Sequence, residues 1–587
     1  MRRLLALLIA SILLTFNFLG LTSCEQAGWL IENTPPFIDN EDDKKTPEND
    51  NTPKTENEGT IRIPTYKDYE RNTIDFDNIN YKRPCISKAI SDFNSVSDTL
   101  RSNEIPYSDQ LSSIVALESE YNDILTMSAY ANIISSRNTA DSYWLSEYQF
   151  ITTSYPSFAK AVEELFVAAA NSPHSNLFER DYFGSGLVEK YKDGGKYTDE
   201  ITLLMAEEAA LEAEYLSLDH SSLSNAEYDR LTTDILVNLF RVRRKISNAL
   251  GYKSYATFAY ETLYHDYSVK DFIDFTDDVS NFVVPVYKKL RYVFDQCYGP
   301  AGKTVSTVDL VNNTYKMLEG ADPELCEIYS YMLKHSLYDI DRKNDDRFDG
   351  AFTTYLDTYN APFIFISSTG HAEDYITMCH EFGHFADNYI NYAASTSLDL
   401  SEVSSQALEM LAIKRYDGIL DPATLNYLKL YEIKNAVTCL ISQSFYALFE
   451  HIAYDIPLED INEESLNSAV MEAAKRLGLN SNILNDLSYV MIPHIYLYPF
   501  YVQSYATSVT VALEIYFKEI ESEGAGFEIY KNLISREDSN LSFEEYVVEV
   551  GLTSPFEKNY LKIIADKIHY NLLGSHYFKQ LTEDNAA

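Results

Sequence analysis

Along most of the chain, apolar residues recur at three- and four-residue spacing between short polar breaks, a pattern typical of amphipathic helices. The segments Asp109 to Ile133, Ser157 to Ala170 and Ile201 to Leu216 follow it. A further segment, Thr232 to Leu250, ends at Gly251, which lacks a side chain and therefore suits a left-handed helix cap. The pattern predicts a mainly α-helical protein.

One region has the composition of β-strands instead. Gly350 to Leu356 and Pro362 to Ser367 are rich in aromatic and branched residues, and a short turn-like segment separates them. These two runs predict a small antiparallel sheet.

The N-terminus has the pattern of a secretory signal. Arg2 and Arg3 precede an apolar run, Leu4 to Leu14, that is short for a membrane span. The residues Leu21 to Cys24 are similar to a bacterial lipobox, in which the cysteine is lipidated and becomes the mature N-terminus. We therefore predict a signal peptide at residues 1–23 and a lipid anchor on Cys24. An ordinary signal peptide with an incidental cysteine is the alternative.

The predicted domain organisation follows from changes in composition. Residues 24–60 are polar, charged and contain proline, so they predict a disordered acidic tether. The rest of the chain is apolar enough to bury a core. A strongly helix-forming stretch near Ile201 suggests a soft boundary, which gives an N-terminal helical domain at 61–205 and a second helical domain at 206–587.

Composition excludes several classes of protein. With 587 residues, 45% of them hydrophobic and 23% charged, the chain is neither a single small binding domain nor largely disordered. Its 47 basic and 89 acidic residues give a formal net charge of -42, which repels phosphate backbones, so we predict no nucleic-acid partner. The five cysteines besides Cys24 are scattered and lack CxxC spacing, so they do not indicate a disulfide framework.

The motif His380-Glu381-Phe382-Gly383-His384 carries the main chemical signal. Two histidines four residues apart lie on one side of a helix, where both imidazoles can reach a single zinc ion. Glu381 would lie beside the remaining coordination position. The motif predicts one zinc ion, and it requires a third ligand from elsewhere in the chain.

Glu402 is the predicted third ligand. A new helix is expected after Ser401, a residue type that favours the N-cap position. Glu402 and Glu409 are seven residues apart and share a face, and burying both is unfavourable unless a cation or a partner compensates them. We expect Glu402 to bind zinc and Glu409 to hold one of the histidines. A solvated acidic face without a metal is the alternative.

Further segments extend the pattern. Gly350-Ala-Phe352 and Pro362-Phe-Ile-Phe365 precede the zinc motif, and Leu250-Gly-Tyr and Pro493-His-Ile-Tyr-Leu-Tyr-Pro-Phe-Tyr lie on either side of it. With Glu402-Val-Ser-Ser-Gln-Ala-Leu-Glu409, these blocks resemble the thimet oligopeptidase and oligoendopeptidase F family of zinc metallopeptidases.

The resemblance implies a two-lobed helical metallopeptidase with a deep substrate channel, a small sheet beside the zinc helix, and oligopeptide substrates. It implies that Glu381 takes the proton of the attacking water. The zinc ligands would be His380, His384 and Glu402. Residues on the opposite side of the metal would stabilise the oxyanion: His494, Tyr498 and Tyr505.

Substrate contacts are predicted near the sheet and in the segment that begins at Pro493. The strand Pro362 to Ser367 would offer main-chain hydrogen bonds to an extended peptide. The residues predicted to bind substrate are Gly350, Phe352, Phe363, Phe365 and Tyr501.

Two positions depart from the family pattern: Asp387 stands where a further histidine is common, and Gln503 where an aromatic residue is usual. A catalytic role for Cys379 is disfavoured because no separate histidine and acid pair is indicated for it. The sequence thus predicts a tethered, extracytoplasmic, monomeric zinc endopeptidase. One alternative is a non-catalytic peptide-binding lipoprotein on the same fold. A surface adhesion protein is another, favoured only if the 380–409 region holds no metal.

Overall fold

The computed structural model describes most of the chain beyond the predicted tether. The described residues are 71 and 75–574, apart from 185, 219–222, 295–296, 298–302, 393–396, 481–488 and 537–540. The predicted signal peptide, Cys24 and the tether at 24–60 lie outside these residues. None of the described helices combines the length and the hydrophobicity that a membrane span requires.

The described part before the sheet consists of helices and turns. Its α-helices are α1 Ile86–Leu100, α2 Tyr107–Arg137, α3 Ser142–Ala170, α4 Ser175–Phe178, α5 Leu187–Tyr191, α6 Asp199–Leu216, α7 Asn225–Ala249, α8 Tyr255–Thr262, α9 Val269–Asp278, α10 Val284–Phe294, α11 Thr307–Ala321 and α12 Pro323–Lys334. Short π-helical turns occur at Glu179–Phe183 and Val279–Val283, and a 3₁₀ turn at Phe76–Asn78.

The second half contains the sheet and further helices. The strands are β1 Tyr338–Arg342, β2 Ala351–Leu356 and β3 Ala361–Ser368. The helices are α13 Asp374–Asn391, α14 Leu398–Arg415, α15 Pro422–Tyr454, α16 Glu463–Arg476, α17 Pro493–Leu497, α18 Val502–Glu521, α19 Ala525–Ile534, α20 Phe543–Glu549 and α21 Tyr560–Gly574. Three 3₁₀ turns connect them, at Asp357–Tyr359, Leu458–Asp460 and Tyr489–Met491.

The mainly helical fold is confirmed, and the strongest periodic segments fall inside helices. The helix predicted to end before Gly251 is α7, and Gly251 has a φ of +81°. The predicted domain boundary between residues 205 and 206 falls within the continuous helix α6, and the division into two domains stays a prediction. The two lobes and the substrate channel also stay predictions.

The sheet is mixed and has three strands in the order β1-β3-β2. The predicted antiparallel pair is confirmed as β2 and β3, with Phe352 opposite Phe365. The parallel strand β1 was not predicted, because its Tyr-Asp-Ile-Asp-Arg sequence is short and polar. Since β3 lies in the centre of the sheet, the prediction that it pairs with a peptide is wrong. Its unbroken burial is typical of a central strand.

The end of β3 fixes the start of α13. The Asp374 carboxylate accepts hydrogen bonds from the backbone N–H groups of Thr369, at 3.0 Å, and Gly370, at 2.7 Å, and from the Ser368 hydroxyl at 2.7 Å. These bonds tie the first turn of α13 to the sheet. The position of the sheet therefore sets the position of the predicted zinc helix.

Helix α14 packs against both α13 and α18. It begins earlier than predicted, because Ser397 and not Ser401 is its N-cap, accepting a hydrogen bond from the backbone N–H of Asp399. The two helix backbones approach each other closely at Gly383. A Cβ atom there would lie 2.6 Å from the backbone oxygen of Ser404 and 2.6 Å from the Cα of Ser405. The glycine of the motif thus lets two helix backbones meet.

We expect Gly383→Ala to lower the free energy of unfolding by about 1–3 kcal/mol, because the added methyl group must push two backbones apart. The matched control is Gly320→Ala in α11, where a Cβ meets no atom within 4 Å. This control should be neutral or stabilising by up to about 1 kcal/mol. Chemical denaturation of both variants measures the difference, and equal stabilities would contradict the role of Gly383 as a spacer.

Candidate active site

The predicted metal ligands lie together. His380 and His384 are one turn apart on α13, and Glu402 reaches them from the first turns of α14. The Oε2 atom of Glu402 lies 3.7 Å from Nε2 of His380 and 3.5 Å from Nε2 of His384. One ligand atom from each residue lies within 4.8 Å of the others.

This arrangement fits a zinc ion. Ligand atoms about 2.0–2.1 Å from a tetrahedral zinc are about 3.3 Å from one another, close to the separations found between Glu402 and the imidazoles. Two imidazoles and one carboxylate are also a donor set of catalytic zinc sites, which leave one position open. Glu402 is completely buried, so a cation would compensate its charge.

The second nitrogen of each histidine also has a partner. Nδ1 of His380 forms a short hydrogen bond to Oε1 of Glu409, as the sequence predicted for Glu409. Nδ1 of His384 lies 3.4 Å from the Ser401 hydroxyl. Bonds of this kind orient the ring so that Nε2 faces the metal position.

Glu432 extends this arrangement, and sequence reasoning missed it. It lies on α15 beside Glu409. Burial raises the pKa of Glu432 well above the usual range, and the neighbouring Glu409 adds to the effect. A protonated Glu432 can donate to the carboxylate that holds His380. Nothing in the local sequence of α15 indicated this contact.

The electrostatics of the ligands favour binding a cation. Burial and the nearby His384 lower the pKa of His380 to about 4. Burial opposes the charge of Glu402, but His384, His380 and the hydrogen bond from Tyr501 together outweigh burial and lower the pKa of Glu402 to about 2. Burial likewise opposes the charge of His384, and Glu402 raises the pKa of His384 to about 9. A bound cation would replace the proton of His384 as the counter-charge to Glu402.

The candidate base Glu381 is held by one oxygen only. The Oε2 atom of Glu381 accepts a hydrogen bond from the Thr353 hydroxyl at 2.8 Å. The same hydroxyl lies 2.9 Å from the backbone oxygen of Glu381. Its Oε1 is buried and has no hydrogen-bond partner among the described residues. Burial raises the pKa of Glu381, although His380 and His384 oppose this. A carboxylate oxygen of this kind can accept a proton from water.

The segment from Pro493 to Tyr505 places polar groups on the side of Glu402 opposite the two histidines. The hydroxyl of Tyr501 donates to Oε1 of Glu402 at 2.6 Å, and the hydroxyl of Tyr505 lies 3.3 Å from Nε2 of His494. Burial lowers the pKa of His494 to about 4. Burial, with Glu402 adding to it, raises the pKa of Tyr505 well above its usual value. His494 is therefore neutral and Tyr505 keeps its proton near neutral pH.

Two of the predicted tyrosines differ in their surroundings. Tyr501 was predicted to contact substrate; its hydroxyl donates to the predicted ligand Glu402, and a substrate contact stays a prediction. The ring of Tyr498 is buried and lies 6.2 Å from the His494 ring and 6.0 Å from the Tyr501 ring, measured between centroids. A catalytic role for Tyr498 stays a prediction.

The phenylalanines predicted to bind substrate belong to the core. Phe352 and Phe365 are stacked with centroids 4.9 Å apart, and Phe363 packs against Phe76 at 4.3 Å. All three side chains are buried in this packing, and their contact with substrate stays a prediction. The N–H of Gly350 donates to the carbonyl of Phe348 and its carbonyl accepts from the N–H of Ser367, and a substrate contact of Gly350 stays a prediction.

The two unusual positions and Cys379 have structural partners. Asp387 accepts a hydrogen bond from Arg536 at 2.9 Å. Gln503 contacts Tyr260 and Tyr267 in a buried polar cluster. Burial raises the pKa of Cys379 to about 12, which disfavours its thiolate and hence a nucleophilic role.

Comparison with known proteins places this geometry in a family. The family model described as Peptidase M3 N-terminal domain matches residues 76–192, and the model described as Peptidase family M3 matches residues 330–565. The oligoendopeptidase F homolog of Borreliella burgdorferi is 27% identical over 269 residues, which cover 42% of this chain and 43% of the relative. The match thus spans less than half of the length of that curated relative.

Solved structures share the fold. A putative oligoendopeptidase F from Bacillus anthracis str. Ames has a TM-score of 0.73 at 22% identity, covering 86% of this chain and 100% of its own. PZ peptidase A with inhibitor 2 has a TM-score of 0.72 at 20% identity, covering 85% and 99%. Both domain matches and the shared fold lead to one conclusion: the chain belongs to peptidase family M3.

Proposed function

We propose that the protein is a zinc-dependent endopeptidase that hydrolyses short oligopeptides. One observation carries the proposal: His380, His384 and Glu402 converge on one position, and the unpartnered Oε1 atom belongs to Glu381, which lies between the two histidines in sequence. Membership of a peptidase family supports the same reading.

The chemical roles follow from the contacts. A zinc ion held by these ligands would polarise the peptide carbonyl and make the attacking water more acidic. Glu381 accepts the proton of that water at Oε1, while Thr353 holds Oε2 in place. Glu381 then delivers the proton to the leaving amine, because the same carboxyl group is the nearby acid.

His494 and Tyr505 would act on the oxygen that becomes negatively charged. Both are buried and can donate a hydrogen bond. Fixed donors of this kind stabilise charge that develops only in the transition state. Tyr501 serves a different role, since it fixes the orientation of the ligand Glu402.

The edge of β2 that does not pair with β3 is the site that we propose for the peptide backbone. The carbonyl of Gly350 accepts from the N–H of Ser367, so Phe352 and Thr354 direct their backbone groups toward β3. By alternation, Ala351 and Thr353 direct theirs away from β3. A peptide added along this edge would pass Thr353, the residue that anchors the base.

The cellular setting is also proposed. The signal sequence and Cys24 favour a lipid-anchored, extracytoplasmic enzyme that acts as a monomer on oligopeptides. The net charge of -42 favours peptides without strong negative charge, if the substrate path is acidic too.

The first prediction from this proposed function tests the reaction. The wild-type protein should cleave a quenched fluorescent peptide, lose activity with a metal chelator and regain it with zinc. Glu381→Gln should keep one zinc per chain but lose turnover by about 10²- to 10⁴-fold or more, because the base is gone. The exposed Glu327→Gln on α12 is the matched control and should behave as wild type. Peptide binding without chelator-sensitive cleavage would instead indicate the non-catalytic alternative.

The second prediction concerns Glu409. Glu409→Met removes the acceptor of His380 Nδ1 and should weaken zinc binding by about 10- to 100-fold. Glu409→Gln keeps an amide oxygen as acceptor and should lose less affinity. Competition with a chromophoric chelator measures both dissociation constants. An unchanged zinc affinity in Glu409→Met would show that Glu409 does not support the ligand.

The third prediction concerns Cys24. Wild-type protein expressed in a bacterial host with its own signal should incorporate labelled fatty acid and sediment with membranes. Cys24→Ser should lose the label and appear in the soluble fraction, because the thiol that carries the lipid is absent. Label retained by the serine variant would rule out this anchor.

A further inference from the structure

The loop that carries the candidate transition-state residues contains a strained turn. The backbone N–H of Tyr501 donates to the carbonyl of Tyr498 at 3.0 Å, with Pro499 and Phe500 between them. Phe500 has a φ of +68° and is completely buried. Glycine or asparagine usually takes the positive-φ position of a turn, and a bulky residue there is unfavourable. The surroundings must therefore hold this conformation.

Two buried side chains hold the backbone of Phe500. Its N–H donates to Oε1 of Glu450 on α15 at 3.0 Å. Its carbonyl oxygen lies 3.2 Å from Nε2 of His265, in the segment between α8 and α9. Glu450 and His265 are buried, so water does not compete for these bonds. We call Phe500, Glu450, His265 and Asp399 the Phe500 clamp.

His265 is itself fixed by the helix that carries Glu402. Its Nδ1 lies 2.8 Å from Oδ2 of Asp399, one turn before Glu402 on α14. The two ring nitrogens thus each face an acceptor, the carboxylate of Asp399 and the carbonyl oxygen of Phe500. The Tyr267 hydroxyl donates to the other oxygen of Asp399 at 3.1 Å, and Gln503 of α18 donates to that hydroxyl. Gln503, the position that departs from the family pattern, thus helps to hold the clamp through Tyr267.

The clamp ends next to the metal site. Tyr501 follows Phe500 directly, and its hydroxyl binds Oε1 of Glu402. The ring of Tyr501 also lies 5.4 Å from the ring of Tyr505, measured between centroids. The direction of the chain at Phe500 therefore sets where the Tyr501 hydroxyl lies.

We propose that Glu450 and His265 are positioning residues, which hold the Phe500 peptide in its left-handed conformation and thereby keep Tyr501 on Glu402 and Tyr505 at the reaction site. Neither residue touches the predicted ligands or the base. The catalytic part of this inference rests on the proposed endopeptidase function.

Paired variants at Glu450 separate positioning from packing. Glu450→Met removes the acceptor of the Phe500 N–H at similar volume, and we expect kcat to fall at least about 10-fold with KM changed less than about threefold. Glu450→Gln retains an acceptor and should keep at least about a third of the wild-type kcat. Circular dichroism and thermal unfolding verify that each variant is folded. A folded Glu450→Met enzyme with wild-type kcat would overturn the proposal.

A second pair tests the clamp from His265 and serves if Glu450→Met does not fold. His265→Gln places an amide nitrogen near the position of Nε2, within reach of the Phe500 carbonyl, whereas His265→Asn reaches only as far as Nδ1. The two variants carry the same functional group. We expect the glutamine variant to retain at least about threefold more kcat. Equal rates would overturn the role of His265.

Zinc affinity provides a readout that does not depend on activity. Tyr501→Phe removes the hydrogen bond to Glu402 and should raise the zinc dissociation constant by about 10-fold. If Glu450 acts through Tyr501, Glu450→Met should weaken zinc similarly, and the double variant should lose little more. Fully additive losses would overturn the coupling.

The measurements distinguish a failure of the endopeptidase proposal from a failure of the Phe500 clamp proposal. A wild-type protein that binds zinc but cleaves no peptide would refute the endopeptidase function, while non-additive zinc affinities would still support the clamp. A wild-type enzyme with chelator-sensitive cleavage and additive zinc affinities would refute the clamp alone.

Discussion

The close contact between α13 and α14 is the constraint on which the site depends. Two histidines on one helix cannot complete a metal cage, and Glu402 reaches them only because Gly383 lets the helix backbones meet. The same contact brings Glu409 to His380. Buried carboxylates are unfavourable by several kcal/mol unless a partner or a cation compensates them. The packing of two helices therefore creates both the ligand set and the electrostatic requirement for a cation.

Three further elements add residues to the site that α13 and α14 form. Strand β2 supplies Thr353, which fixes one oxygen of Glu381 and leaves the other for chemistry. Helix α15 supplies Glu432 behind Glu409. The loop before α18 supplies Tyr501 on the far side of Glu402. Each contact joins residues far apart in sequence, so the site forms only when the whole second half of the chain has folded.

This distribution explains what the sequence could predict. His380, His384 and Glu402 follow from the periodicity of one helix and the cost of a buried acid, both of which are local properties. The strands were also locally encoded, but their order was not, so β3 was mistaken for a strand with a free edge. Thr353 and Glu432 reach the site from β2 and α15, outside the motif blocks, and a single sequence carries no signal for which face of those elements packs there.

The loop from Pro493 to Tyr505 is held from outside at two points. Arg243 of α7 is completely buried and donates to the carbonyls of Ile495 and Tyr496, which follow His494. Glu450 and His265 bind the peptide of Phe500, whose positive φ costs about 1–3 kcal/mol. Donors that stabilise a transition state are effective only if they do not reorganise when charge develops. The free energy stored in the turn is therefore consistent with a loop whose geometry is fixed before substrate arrives.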